Sequence, residues 1–259
     1  MKKYILALLV LIAAIAPFFI FKNTHTAAQA VREHFFKYLR ARKDNLALEE
    51  IEKMLAIDPN NLSAIWGKAE VLRRNYKFKE SEELLRRVLS QDPNHVPSLI
   101  SLSYIRYHDD NLRDALKLLK QVLNQPNLDR ENKALAFMLM GSVNAKRSER
   151  RGLLGKIAYG MQVKNYFEKA KILAPDLSDV HLGLGTFCLF APRMAGGDLN
   201  KAIEELELAV KLTPDFATAN ARLAQAYKKK GDLAKYNFYL KRAKELDSEN
   251  EALKEIAKE

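Results

Sequence analysis

The chain has 259 residues, of which 48% are hydrophobic and 29% charged, and a formal net charge of +11; by length alone this suits one or two globular domains. The single cysteine, Cys188, excludes an intramolecular disulfide and any cysteine-based zinc site, and reads as a buried structural thiol. The positive balance points to an acidic partner or an anionic surface, but most charges alternate in sign along helix faces, so nucleic acid is not expected.

Residues 1–27 stand apart from the rest. Lys2 and Lys3 precede an uninterrupted non-polar run from Tyr4 to Phe21; Lys22 and the polar stretch Asn23-Thr24-His25-Thr26 then lead to Ala28-Gln29-Ala30. A secretory signal peptide would explain the charged start and the Ala-x-Ala end, yet its apolar core runs about 7–15 residues. The run here is longer, and as a helix rising about 1.5 Å per residue it nearly covers a hydrocarbon layer of about 30 Å, with a kink at Pro17. The segment is therefore expected to be an uncleaved signal anchor, with a cleaved signal as the alternative. Lysines on a short amino-terminal flank stay inside, which places the remainder outside the cytoplasm, on the periplasmic side, or makes it secreted or periplasmic after cleavage.

From residue 28 onward, four endings recur: Asp58-Pro59-Asn60, Asp92-Pro93-Asn94, Pro175-Asp176 and Pro214-Asp215, each closing an amphipathic stretch. Pro59 and Pro93 are 34 residues apart, and Pro126, Pro175 and Pro214 follow at 33, 49 and 39. Aligned on the proline, the twentieth place holds Ala47, Ser81, Ala115 and Ala202, with Val163 and Tyr236 as looser matches. The twenty-fourth holds Ile51, Leu85, Leu119, Phe167, Leu206 and Leu240, and the twenty-seventh Met54, Val88, Val122, Ala170, Ala209 and Ala243. These places draw one apolar stripe on the second helix of each unit. The first helix carries Ala69, Ser103, Gly141, Gly185 and Ala224 at the eighth place, where two backbones approach; the first copy has Phe35 there instead.

A 34-residue helix–turn–helix unit with small residues at these places resembles the tetratricopeptide-repeat family. The resemblance implies an all-α, right-handed superhelical array over residues 28–250, in six units: 28–61, 62–95, 96–127, 134–177, 178–216 and 217–250. Residues 251–259 then form a capping helix over the last apolar face. Ser248 replaces proline in the sixth unit. Repeat stability is a sum of neighbouring interfaces, so one elongated array is expected.

Two units carry insertions. Ten extra residues separate the helices of the fourth unit, containing Gly152-Leu153-Leu154-Gly155-Lys156 and a basic lead-in, Lys146-Arg147-Ser148-Glu149-Arg150-Arg151. Five extra residues in the fifth unit fall in Ala191–Asp198, where Pro192 stops one helix and Asp198 caps the next. Residues 150–202 look like a subgroup of exported bacterial tetratricopeptide proteins with an Ala-Pro and then a Gly-Gly turn. That likeness bears on compartment and fold, and carries no reaction with it.

No catalytic or metal-ligating constellation emerges. The five histidines have no paired-ligand spacing. His181 and Cys188 stand about two turns apart on one helix, too far for a base and its nucleophile. The acidic pairs Glu49-Glu50, Glu82-Glu83 and Glu204-Glu205 read as solvated surface. What the resemblance does imply is a concave groove lined by first helices, and its map selects Arg32, Phe36, Trp66, Arg73, Tyr104, Tyr107 and His108. These are the residue types that anchor interfaces. The same map also touches Glu70, Met138, Leu182, Leu189 and Phe190. The chain is expected to be a non-enzymatic scaffold without a cofactor, holding a protein or peptide partner and meeting the membrane through its amino-terminal helix. The alternative is a small-ligand-binding accessory component of a solute uptake system, with an apolar pocket closed by residues 147–162.

Overall fold

The computed structural model describes residues 29–150 and 152–258, and the expected anchor at 1–27 lies outside them. Among the described residues no helix is long and apolar enough to cross a membrane. They form helices joined by short turns, with no strand. The chain divides into two compact units, one ending at Val71 and one beginning at Leu72.

The first unit consists of α1 (residues 29–40), α2 (Asp44–Ile57) and most of α3 (Leu62–Arg74). Its core is Phe35, Leu39, Ala47, Ile51, Met54, Ala64 and Val71. Phe35, the large residue at a place that is small elsewhere, is fully buried. Gly67 makes room for it, since a Cβ there would stand 2.4 Å from the Phe35 ring. The departure is thus matched by a missing side chain on the facing helix, and the ring's burial contributes about 1.5–3 kcal/mol.

The second unit contains α4 (Phe78–Gln91), α5 (Val96–His108), α6 (Leu112–Leu123), α7 (Arg130–Glu149), α8 (Gly152–Leu173), α9 (Ser178–Phe190), a 3₁₀ turn (Arg193–Ala195), α10 (Leu199–Leu212), α11 (Ala217–Lys230), α12 (Leu233–Leu246) and α13 (Glu251–Ile256). Consecutive helices pack as antiparallel neighbours around the small residues: Ser81, Ala115 and Ala202 are fully buried. The inserted residues of the fourth unit do not form a loop. They lengthen α7 to 20 residues and α8 to 22, against 12–14 in the regular pairs. At the carboxy end, Ala252, Leu253 and Ile256 of α13 pack with Ala221 and Ala243.

The recurrent endings have a local cause. Proline cannot continue a helix, and the preceding aspartate bonds the backbone two residues on: Asp58 Oδ1 accepts from Asn60 N and Asp92 Oδ1 from Asn94 N, both at 3.0 Å. Where Ser248 stands in for proline, Asp247 Oδ1 still accepts from Glu249 N at 3.1 Å, so the turn survives.

Candidate functional site

The selected aromatic and cationic residues fall into separate groups on first helices. In the first unit, α1 places Arg32 with its guanidinium 5.8 Å from the centroid of the Phe36 ring. Phe36, 41% exposed, lies 6.3 Å from Trp66 of α3. Phe35 meets the same indole edge-on at 6.2 Å, so Trp66 rests partly on the core. Cation, phenyl and indole form a short ladder, each contact of a kind worth about 0.5–1.5 kcal/mol.

The second unit builds a longer ladder from three helices. Arg73 at the end of α3 lies 4.0 Å over the ring of Tyr104, and Tyr104 meets Tyr107 in a T-shaped contact at 6.1 Å. Lys146 of α7 closes it, with Nζ 4.8 Å over Tyr107 and donating to the Tyr107 carbonyl at 3.2 Å. Tyr104 and Tyr107 sit three residues apart on α5 and so share a face. Burial pushes the Tyr107 hydroxyl well above the ordinary tyrosine range; Tyr104, Glu149 and Glu255 add to this and Arg222 opposes it.

His108 does not join this ladder. Its ring packs 4.1 Å from Phe78, and Nε2 lies 2.6 Å from Glu251 Oε1 of α13. The histidine thus ties α5 to the carboxy-terminal helix.

Two cations that the sequence reading did not select form a separate group with Phe190. Phe190, 37% exposed, lies between Arg222, 5.1 Å from its centroid, and Lys229, at 4.8 Å. Arg222 also pairs with Glu255, and Lys229 Nζ donates to the Leu189 carbonyl at 3.1 Å. The groove map uses the second, fifth, ninth, twelfth and thirteenth places of each unit, and Lys229 occupies the thirteenth of the sixth unit, so carrying the map into that unit would have found it. Arg222 is one place off the map and left no such signal. Leu189 and Glu70, also on the map, are buried, Leu189 within the core.

Two family models match the carboxy-terminal part of the chain: one for the TPR repeat at residues 193–231 and one for the tetratricopeptide repeat at 217–250. Residues 193–250 are thus similar to tetratricopeptide repeats. Among solved structures, a thermophilic TPR protein of Thermus thermophilus is similar at 18% identity, over 75% of this chain and 96% of that one, with a TM-score of 0.60. PilW, a widely conserved type IV pilus biogenesis factor, is similar at 16% identity over 89% and 98%, with a TM-score of 0.51. A chain of the Cut9–Hcn1 hetero-tetramer of the APC/C matches at 16% identity over 89% and 42%, with a TM-score of 0.58. These likenesses concern the fold alone. No curated protein matches the chain in sequence.

Within the helical array, the acidic pairs on second helices are not simply solvated surface. One member of each is drawn inward onto a cation. Glu205 is 3% exposed; Lys171 Nζ donates to it at 2.6 Å, and its other oxygen lies 2.7 Å from His181 Nδ1. Glu82 holds Arg106 and Arg86, and Glu50, 6% exposed, holds Lys53 at 2.9 Å. The Arg106 pair holds the Glu82 carboxyl below the usual carboxylate range. A helical stripe predicts which face is buried, but not that a carboxylate at its margin will find a cation on a neighbouring repeat, as Glu82 and Glu205 do.

The same contacts remove His181 from any chemistry with Cys188. Its second nitrogen, Nε2, lies 2.8 Å from the Pro175 carbonyl, so both ring nitrogens are engaged. Burial pushes the Cys188 thiol up to about 11, which leaves it protonated and unreactive at neutral pH. No group of three or more histidine, cysteine, aspartate or glutamate side chains is arranged to hold a metal among the described residues.

Proposed function

We propose that this chain is a non-enzymatic scaffold that holds an extended segment of a protein partner along its first helices, on the Arg73–Tyr104–Tyr107–Lys146 ladder. The observation that carries the reading is that ladder itself: partly exposed aromatic faces flanked by cations offer flat apolar area and charge at low entropic cost, as interface anchors do. Phe190 with Arg222 and Lys229 extends the same surface, and Arg32, Phe36 and Trp66 form a like patch in the first unit. The reading further has residues 1–27 carry the array across a membrane and leave it tethered on the outer face. Its support is the lysine-flanked apolar run. The alternative, a small-ligand carrier, is less favoured, because the cleft beside the insertion is open and mostly cationic, with Leu112 and Leu116 as its apolar side chains.

The test is a photo-crosslinking amino acid placed at Tyr104 in the full chain, with partners identified from the native membrane fraction. Arg73→Ala should weaken crosslinking at position 104, and Tyr104→Ala should weaken binding of the purified partner, each on the order of tenfold while leaving the melting temperature within a few degrees. Ala115→Arg, which forces a charge into a fully buried contact, should lower the melting temperature sharply. If the two ladder variants melt as early as Ala115→Arg, those residues are core and the reading fails. A reporter fused after residue 60 that is active only in the cytoplasm would overturn the tethering.

A further inference from the structure

The lengthened helix α7 builds a second, different surface. Its last turn overhangs the α5–α6 turn and leaves an open cleft of about 690 Å³, lined chiefly by Leu112, Arg113, Leu116, Lys117, Lys120 and Arg147. The volume falls in the range of about 300–1,000 Å³ that accommodates specific ligands. Leu112 and Leu116 provide an apolar floor, Leu112 being almost fully buried.

The walls are out of electrostatic balance. Asp110 and Arg150 also line the cleft, and Arg150 and Lys146 share the single carboxylate of Asp110. Arg113, Lys117, Lys120 and Arg147 meet no carboxylate among the described residues. Other second helices behave differently: Arg86 pairs with Glu82 on α4, and Arg242 and Lys241 with Glu245 on α12. On α6, by contrast, Arg113, Lys117 and Lys120 repeat at four- and three-residue spacing, where like charges destabilise a helix. The helix's own acid, Asp114, is held by Asn111 at 2.8 Å. Four exposed, uncompensated cations converging over two leucines match an anionic ligand that also presents apolar surface. Arginine adds a planar fork suited to carboxylates.

We infer that this cleft is a binding site for an acidic peptide segment, in which carboxylates engage Arg113, Lys117, Lys120 and Arg147 and an apolar residue covers Leu112 and Leu116. The four cations of this site are distinct from those of the aromatic ladder. The probe is a fluorescein-labelled Glu-Glu-Leu-Glu-Glu peptide, titrated with the full chain and followed by fluorescence anisotropy at fixed ionic strength. Arg113→Gln with Arg147→Gln should weaken binding on the order of tenfold. Lys211→Gln with Lys230→Gln, which removes the same charge away from the cleft, should change it less than twofold, and Tyr104→Ala should leave it unchanged. As a converse, Arg113→Glu with Arg147→Glu should gain binding to a Lys-Lys-Leu-Lys-Lys probe. Equal weakening by both glutamine pairs would reduce the effect to net charge and overturn the proposal. So would absence of peptide binding, or arginine-dependent binding only to phosphatidylglycerol vesicles, which would make the cleft a membrane contact. Each variant is read beside its far-ultraviolet circular dichroism melt, and should the arginine pair unfold the protein, Lys117→Gln alone carries the test.

Discussion

At the scale of single residues, the carboxylate of Glu205 shows what the array invests in one contact. Burial pushes its pKa up, but the hydrogen bonds from His181 and Lys171 more than offset this, and the net direction is down from the ordinary value of 4.5. A depressed carboxylate contributes stability that is fully present above its unfolded value and is lost as the pH falls through its folded value. Stability should therefore decline below about pH 4.5. Glu205→Gln should cost about 2–3 kcal/mol at pH 7, by leaving Lys171 and His181 without their anion. It should also flatten the acid limb of a plot of melting temperature against pH. An unchanged slope between about pH 3 and pH 5 in the variant would show that the pair does not carry this dependence. The sequence could not reveal this site. Glu205 is separated from Lys171 by 34 residues and from His181 by 24, and nothing in a single helix's periodicity says that these ends meet.

At the scale of the element, the repeat was legible because it is written in residues with physical duties. Small residues at the helix crossings and the Asp-Pro endings each leave a mark at fixed spacing. The turn between the two helices of a unit left a fainter mark. Arg42, Tyr76 and Asp110, successive at 34 residues, all take positive φ of 60–64°, and Gly231 takes 83° in the sixth unit. The backbone demands a left-handed residue there whatever the side chain, so non-glycine residues concealed it. The lengthening of α7 and α8 was hidden too, since an insertion rich in glycine reads as a loop until packing makes it helical. Two substitutions separate backbone from packing. Gly231→Ala meets nothing within 4 Å, so its cost should be the strain alone, about 1 kcal/mol. Gly67→Ala drives a Cβ into the Phe35 ring and should cost about 1–3 kcal/mol, with Phe35→Leu in the same chain recovering part of it. Urea denaturation measures both. A Gly231→Ala variant as stable as the parent would show that the turn carries no strain, and a failure of Phe35→Leu to rescue would place the clash elsewhere.

At the scale of the molecule, the feature no repeat alignment could supply is the return of the second unit's carboxy-terminal end to its beginning. Tyr76, in the turn before α4, donates its hydroxyl to Asp247 at 2.7 Å, and the Asn250 amide reaches that hydroxyl at 3.4 Å. His108 holds Glu251 close by. A repeat array is legible through neighbour contacts, whereas this contact joins residues 171 apart and depends on the rotation accumulated over every intervening pair. It bears on function because α5 carries Tyr104 and Tyr107 as well as His108, so whatever fixes α13 against α5 also borders the ladder proposed to hold a partner. Tyr76→Phe removes a hydroxyl whose bonds lie in a partly buried place and should cost about 1 kcal/mol. His108→Ala breaks a more exposed pair and should cost about 0.2–1 kcal/mol. The sharper readout is amide hydrogen exchange: with both substitutions, residues 247–256 should exchange faster while α6 and α7 stay protected, and partner capture at Tyr104 should change with them. If exchange in 247–256 is unaltered, the packing of Ala252, Leu253 and Ile256 alone holds α13, and the polar contacts to Tyr76 and His108 are incidental to its position.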